Sequence, residues 1–352
     1  MRAALSAWVE GVVSFSVVGL AASAGMTWSA LSSQALAAPP EAASAPVARS
    51  LAAPQRVADG VWVFEGAPEH FSRANGGDIV NTGFIETADG AVVIDTGPSL
   101  RYGQAQRAAV RQASGREVKQ VLITHAHPDH FLGSQAYADV PVQALAGTVE
   151  AIRRDGDLLA QNLYLLVGGA MAGTAVQVPA TLPRLGRAAV PGQSPVLGDT
   201  ATLQVGGRSL RLIALAGHTG ADLAVFDERT GTLFAGDLVF FERAPTTPNA
   251  DIAVWLAALD RLQALPFTVL VPGHGPVVRD ARAIAQTRDY LQWVRDTLER
   301  AAADGLDMNE VMRTSAPQRL QRLAVLQAEW PRTVMHLYPS AEAHSLPPAP
   351  AR

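Results

Sequence analysis

The chain has 352 residues, 48% of them hydrophobic and 17% charged, and a net charge of −4. These values fit one large globular domain or a domain with an appendage and give no electrostatic reason to expect nucleic acid or an anionic membrane as partner. There is no cysteine, which excludes a disulfide framework, a thiolate nucleophile and a cysteine metal ligand.

In chain order, residues 1–37 read as an export signal. Arg2 supplies a positive start, Val12 to Ala24 is the densest apolar stretch, and Ala35-Leu36-Ala37 offers a small-x-small cleavage site before Ala38. An uncleaved anchor is the competing reading, because Gly11 to Gln34 is long enough to span a bilayer. Its Ser, Gly and Thr content argues against a firm span, so stable membrane insertion is not expected. Either way the rest of the chain is expected to be periplasmic or secreted. Residues 38–56, rich in Ala, Pro and Ser, read as a flexible linker.

Folded structure is expected from Val57. Val61 to Phe64, Ile79 to Ile85 and Ala91 to Ile94 read as strands, with turns at Asn75-Gly76-Gly77 and Ala88-Asp89-Gly90. Arg101 to Ala113 carries a helical pattern. Lys119 to Thr124 is a strand that runs into His125-Ala126-His127-Pro128-Asp129-His130. With only 8 histidines in the chain, HxHxDH is expected by chance about once in several thousand chains of this size. Imidazole and carboxylate together suit zinc, and four such groups this close fit two adjacent ions better than one.

Phe131 to Tyr137 reads as a short helix and Pro141 to Ala144 as a strand. Gly147 to Gly173 is mostly helical; carrying Tyr164, it suits either a substrate wall or a surface helix pair. Pro179 to Gly198 reads as loop. Strands follow at Ala201 to Val205, Leu210 to Leu215, Leu223 to Phe226, Leu233 to Ala235 and Phe267 to Val271, with a helix at Ile252 to Leu265. Three of these strands run toward His218, Asp237 and His274, each next to a glycine that permits a sharp turn. Together with HxHxDH they form a ligand set. Arg243, in the loop after Asp237, suits either a substrate anion or a salt bridge. Residues 281–352 form a helical extension, with helices at Ala281 to Ala303, Met308 to Met312 and Gln318 to His336. His336 and Tyr338 are expected in core or surface positions rather than at the site.

HxHxDH followed by His, Asp and His, preceded by Val92-Val93-Ile94-Asp95-Thr96-Gly97, resembles the metallo-β-lactamase superfamily. The stretches ANGGDIVNTGFI, GHTGADLAVFDERTG, FAGDLVFFERAPTTPNAD and VMHLYP resemble, more narrowly, the quinoprotein relay system zinc metallohydrolases. The resemblance implies an α/β fold, a four-layer αββα sandwich, over residues 57–280. It implies two zinc ions per chain, one held by His125, His127 and His218, the other by Asp129, His130 and His274, with Asp237 between them. Asp95 is implied to support the metal loop from behind; capping the Thr96-Gly97-Pro98 turn is the structural alternative. The implied activity is hydrolysis of an ester, thioester or sulfate ester in a small-molecule substrate by a metal-bridging hydroxide, with Asp129 orienting it or returning the proton. A functional link to quinoprotein dehydrogenases or sulfur oxidation is implied as well. The alternatives are β-lactam hydrolysis and an iron-dependent persulfide or redox activity on the same fold.

Overall fold

A computed structural model describes residues 51–183, 185 and 198–345. The expected signal segment and the first part of the linker lie outside the described residues. Two sheets are present among those described. The first takes its strands in chain order: β1 (Gln55–Ala58), β2 (Val61–Phe64), β3 (Thr82–Thr87), β4 (Gly90–Ile94), β5 (Val118–Leu122), β6 (Val142–Ala144) and β7 (Ala180–Thr181). Pairing is antiparallel up to β4 and parallel from β4 to β7. The second sheet has the order β12-β11-β10-β9-β8, with β8 (Thr200–Val205), β9 (Arg208–Leu215), β10 (Asp222–Asp227), β11 (Thr232–Phe234) and β12 (Val269–Val271). Only its β11–β12 pair is parallel.

Side-chain alternation along the strands explains the layers. Val92 and Ile94 of β4 meet Leu210, Leu212, Leu223 and Val225 of the second sheet in the central core. Ala91 and Val93 point the other way, into a core shared with α1 (Leu100–Ser114), α2 (Pro128–Phe131) and α3 (Ala146–Val167). On the far side, Ile213, Leu215, Ala224 and Phe226 pack with α4 (Ile252–Gln263), α5 (Arg282–Ala303), α6 (Met308–Met312) and α7 (Leu326–Ser345). The result is the expected four-layer αββα sandwich, with a C-terminal helical region. Strands such as β4 and β12 are buried throughout, which is why they read as continuous apolar runs. The outer strand β8 alternates between exposed and half-buried positions.

Three elements differ from expectation. The strand expected from Ile79 begins only at Thr82, because residues 79–81 are diverted toward the His274 loop. Asn81 donates through its side chain to the Pro272 carbonyl at 2.9 Å, and the Ile79 carbonyl lies 2.7 Å from His274 Nδ1. A short strand, β7, lies inside the segment expected to be loop. The last helix begins at Leu326 rather than Gln318 and continues to Ser345 through Pro331 and Pro339. Its start is set by Val325, at φ 56°, and by the Ala324 amide, which donates to the Glu242 carbonyl. No helix among the described residues is long and apolar enough to cross a membrane.

Candidate metal centre

The polar residues at the strand ends converge. His125, His127, His218 and Asp237 offer ligand atoms that all lie within 4.8 Å of one another, as do Asp129, His130 and His274. The residues that the resemblance implies for the two ions are thus brought together in two groups. Asp237 sits between them: its Oδ2 is 3.3 Å from both His218 Nε2 and His274 Nε2, and its Oδ1 is 3.2 Å from His130 Nε2. Ligands ~2.1 Å from one tetrahedral ion stand ~3.4 Å apart. The observed separations therefore suit a shared metal ion.

Four of the five rings are oriented from the outer side, while the outer nitrogen of His218, Nδ1, is buried without a hydrogen-bond partner. Thr124 Oγ1 lies 3.0 Å from His125 Nδ1, Asp95 Oδ2 lies 2.8 Å from His130 Nδ1, and the Ile79 carbonyl meets His274 Nδ1. These three rings therefore present Nε2 inward. His127 is reversed: Asn249 Oδ1 is 3.1 Å from its Nε2, and its Nδ1 faces His218 Nε2 at 2.9 Å. Fixing the outer nitrogen selects the tautomer that leaves a lone pair for metal.

Three of the inward atoms lack a hydrogen-bond partner. His125 Nε2, His130 Nε2 and Asp237 Oδ1 are buried without a hydrogen bond, a costly arrangement unless a cation takes them up. Electrostatics point the same way. Burial, helped by the neighbouring rings, holds His125 well below the usual histidine range, and burial lowers His127 to about 4. Both are neutral ligands at pH 7. Burial opposes charge on Asp237, but His274 and His130 outweigh it and keep its carboxyl well below the usual carboxylate range. Burial likewise opposes charge on His130, yet Asp237, Asp95 and Asp129 overcome it and raise its affinity for a proton. The pocket holds an excess of carboxylate that a cation would balance. The residues present fit a pair of metal ions.

Asp95 lies behind the loop. It accepts from the Thr124 amide and hydroxyl, both at 2.8 Å, and meets His130. Arg243 is buried near the site, whereas Tyr164 stands on the exposed face of α3 with no side-chain hydrogen bond among the described residues. The wall role considered for Tyr164 gains nothing from this position, and the N-terminal part of α3 packs on the sheet through Val149 and Ile152. His336 is exposed. Tyr338 is buried in the helical layer and donates to the Leu306 carbonyl. Sequence reasoning missed Asn249, Thr124, Asn81 and Asp222. Asp222 accepts from the amides of His218 and Thr219 and so shapes the His218 turn. Its signal was present, since it is the Asp of GHTGAD; Asn249 lies in the stretch FAGDLVFFERAPTTPNAD, but no local pattern points it at His127.

A two-sheet α/β sandwich with this ligand set at its strand ends defines a class of metal-dependent hydrolases. The sequence profile of the Metallo-beta-lactamase superfamily matches residues 75–274, and the chain belongs to that superfamily. It is 24% identical over 283 residues to a linear primary-alkylsulfatase of a Pseudomonas species, covering 72% of this chain and 53% of that protein. It is 29% identical over 262 residues to a hydroxyacylglutathione hydrolase of Acidiphilium cryptum, covering 68% and 84%. Over 200 residues it is 24% identical to an atrochrysone carboxyl ACP thioesterase of Aspergillus fumigatus, covering 57% and 38%. The chain thus spans little more than half of the alkylsulfatase. Among solved structures, a metallo-beta-lactamase from Pontibacter korlensis superposes with TM-score 0.52 at 22% identity, covering 68% of this chain and 98% of that one. That likeness concerns the fold.

Proposed function

We propose that the protein is an exported hydrolase with two zinc ions per chain that cleaves an ester, thioester or sulfate ester in a small molecule. The observation that carries this reading is the position of Asp237, one carboxylate within 3.3 Å of ring nitrogens from both ligand groups. Two ions held that close would supply a deprotonated water at neutral pH and polarise the scissile group. His125, His127 and His218 would hold one ion, Asp129, His130 and His274 the other, and Asp237 both. Asp129 Oδ2 lies 3.4 Å from His274 Nε2 and 3.8 Å from His130 Nε2. From there Asp129 orients the attacking water and returns a proton to the leaving group. The similarity to a sulfatase and to thioesterases supports this choice of bonds, and the narrower sequence motifs support work beside a quinoprotein or sulfur-oxidation system.

Metal analysis of the full chain, run beside hydrolysis of a thioester, an aryl sulfate, bis-p-nitrophenyl phosphate and a chromogenic β-lactam, tests the reading. About two zinc per chain is expected, with turnover on the thioester or sulfate falling at least 100-fold in Asp129→Ala. One iron per chain, with oxygen uptake on a persulfide and no hydrolysis, would replace the hydrolase with the redox alternative.

A further inference from the structure

Two buried arginines in this fold are treated very differently. Arg208 spends its guanidinium fully: Nε and Nη2 donate to Asp227 at 2.9 and 2.7 Å, Nη1 to the Glu86 carbonyl at 3.1 Å, and Nη2 also to the Asp59 carbonyl at 2.9 Å. Arg243 is equally buried, at 3% exposure, yet its one hydrogen bond is a long 3.4 Å contact from Nη2 to the Glu69 carbonyl. Its Nε and Nη1 have no partner. No carboxylate among the described residues pairs with it directly, so the salt-bridge reading fails. Its remaining contact is with the Phe240 ring, 5.8 Å from the guanidinium carbon, and that ring stacks on His274 at 5.1 Å.

An unpaired guanidinium this deep is costly unless an anion completes it. The charges that face it are Glu329, Asp237 and Asp129, with Arg332 opposing. Asp237 and Asp129 are metal-ligand candidates whose charge is consumed once ions bind. Glu329 is engaged already, by Arg332 at 2.9 Å and by His70 Nδ1 at 3.5 Å. His70 has a free atom of its own, since its Nε2 is buried without a partner. The unspent donors thus gather between the metal pair, the Glu69–His70 loop and α7.

We propose that Arg243, with His70 beside it, binds an anionic group of the substrate, a carboxylate in the first instance, next to the metal pair. The assignment rests on the hydrolase reading and narrows its substrate to an ester or thioester that carries a negative charge apart from the bond cleaved. Nε and Nη1 lie on different edges of the guanidinium, and each flanks Nη2, whose two N–H groups make only the one long contact to Glu69. On the edge that Glu69 leaves open, Nη2 and its free neighbour match a carboxylate with two parallel hydrogen bonds. The backbone on either side is braced: the Glu242 amide donates to Gln286 Oε1, and the Ala244 amide to the Ala324 carbonyl. The fork is therefore held in place before a ligand arrives.

The test is calorimetric titration of benzoate into the zinc-loaded full chain, wild type against Arg243→Met, Arg243→Lys and His70→Gln. Metal content and circular dichroism serve as controls. The expected result is that Kd rises at least tenfold in Arg243→Met, less in Arg243→Lys and less again in His70→Gln. If Arg243→Met does not fold, His70→Gln and the benzoate-dependent rise in wild-type melting temperature carry the test. Equal affinity in wild type and the Arg243 variants would mean that benzoate sits on the metals alone and would overturn the proposal. Absence of benzoate binding and of a melting shift in the wild type would overturn it too. Failure of the hydrolase reading looks different: Arg243-dependent benzoate binding would remain while none of the esters, thioesters or sulfates turned over.

Discussion

Asp95 has φ 58°, in the left-handed region that Asp and Asn tolerate better than other side-chain-bearing residues. Its carboxylate receives three donors, the Thr124 amide, the Thr124 hydroxyl and His130 Nδ1. Asp95→Asn keeps the backbone tolerance but turns one acceptor into a donor facing other donors. We expect metal affinity to fall 10- to 100-fold with the fold retained, measured by competition with a chelator; unchanged affinity would leave Asp95 as a turn cap only. Arg208 sets a different dependence. Burial pushes the Asp227 carboxyl up, but hydrogen bonds from Arg208 and Thr230 outweigh it and hold it below the usual value. A carboxyl lowered by folding stabilises above its unfolded value of about 3.9 and loses that contribution as pH falls through the folded value. Arg208→Met strands the buried carboxylate, so a loss of about 3–5 kcal/mol is expected at pH 7. The gap to the wild type should narrow as pH drops below about 4, and urea unfolding across that range reads it directly.

Elements matter here through their ends. Parallel pairing of β11 with β12 aligns Phe234 with Val271 and drives the two following loops together, with the Gly273 amide donating to the carbonyls of Gly236 and Val239. A Cβ on Gly273 would stand 1.9 Å from Asp237 Oδ1 and 2.8 Å from the Gly236 carbonyl carbon. Gly273→Ala must therefore displace the carboxylate that both ligand groups share. The expected cost is about 1–3 kcal/mol of stability together with loss of at least one bound metal after dialysis; full occupancy would show that Asp237 can move without consequence. These junctions were legible in the sequence because buried strands read as unbroken apolar runs and the ligands follow them directly. What escaped depended on distant segments. Ile79 and Asn81 look like strand residues but are drawn away by the loop around His274, 195 and 194 positions further on for the bonds they make. The left-handed Val325 that opens α7 carries no signal, since a β-branched residue is the least suited to that conformation. The Arg243, His70 and Glu329 grouping joins three stretches that no local period connects.

At the scale of the molecule, the helical C-terminal region is structural as well as adjacent to the site. It closes the outer core over the second sheet: Leu326, Trp330, Val334 and Tyr338 of α7 are buried with Tyr290, Trp293 and Val294 of α5. The same helix places the fully buried Glu329 next to His70 and joins Thr333 to Thr247, whose hydroxyls lie 2.6 Å apart. The Thr247 loop also carries Asn249, the partner of His127. One helix therefore supports the outer core, the proposed anion pocket and one metal-site ring. Ending the chain at Val325 would remove four buried apolar side chains, whose burial is worth about 1.5–3 kcal/mol each, or about 6–12 kcal/mol together, and would uncover their partners on α5. That range overlaps the entire stability of a typical domain, about 5–15 kcal/mol. We expect the truncated chain to lose its cooperative thermal transition and to aggregate. If it instead melts cooperatively and keeps two metals while benzoate binding is lost, α7 is dispensable for folding and its contribution lies in the pocket; the melting curve and the titration separate the two roles.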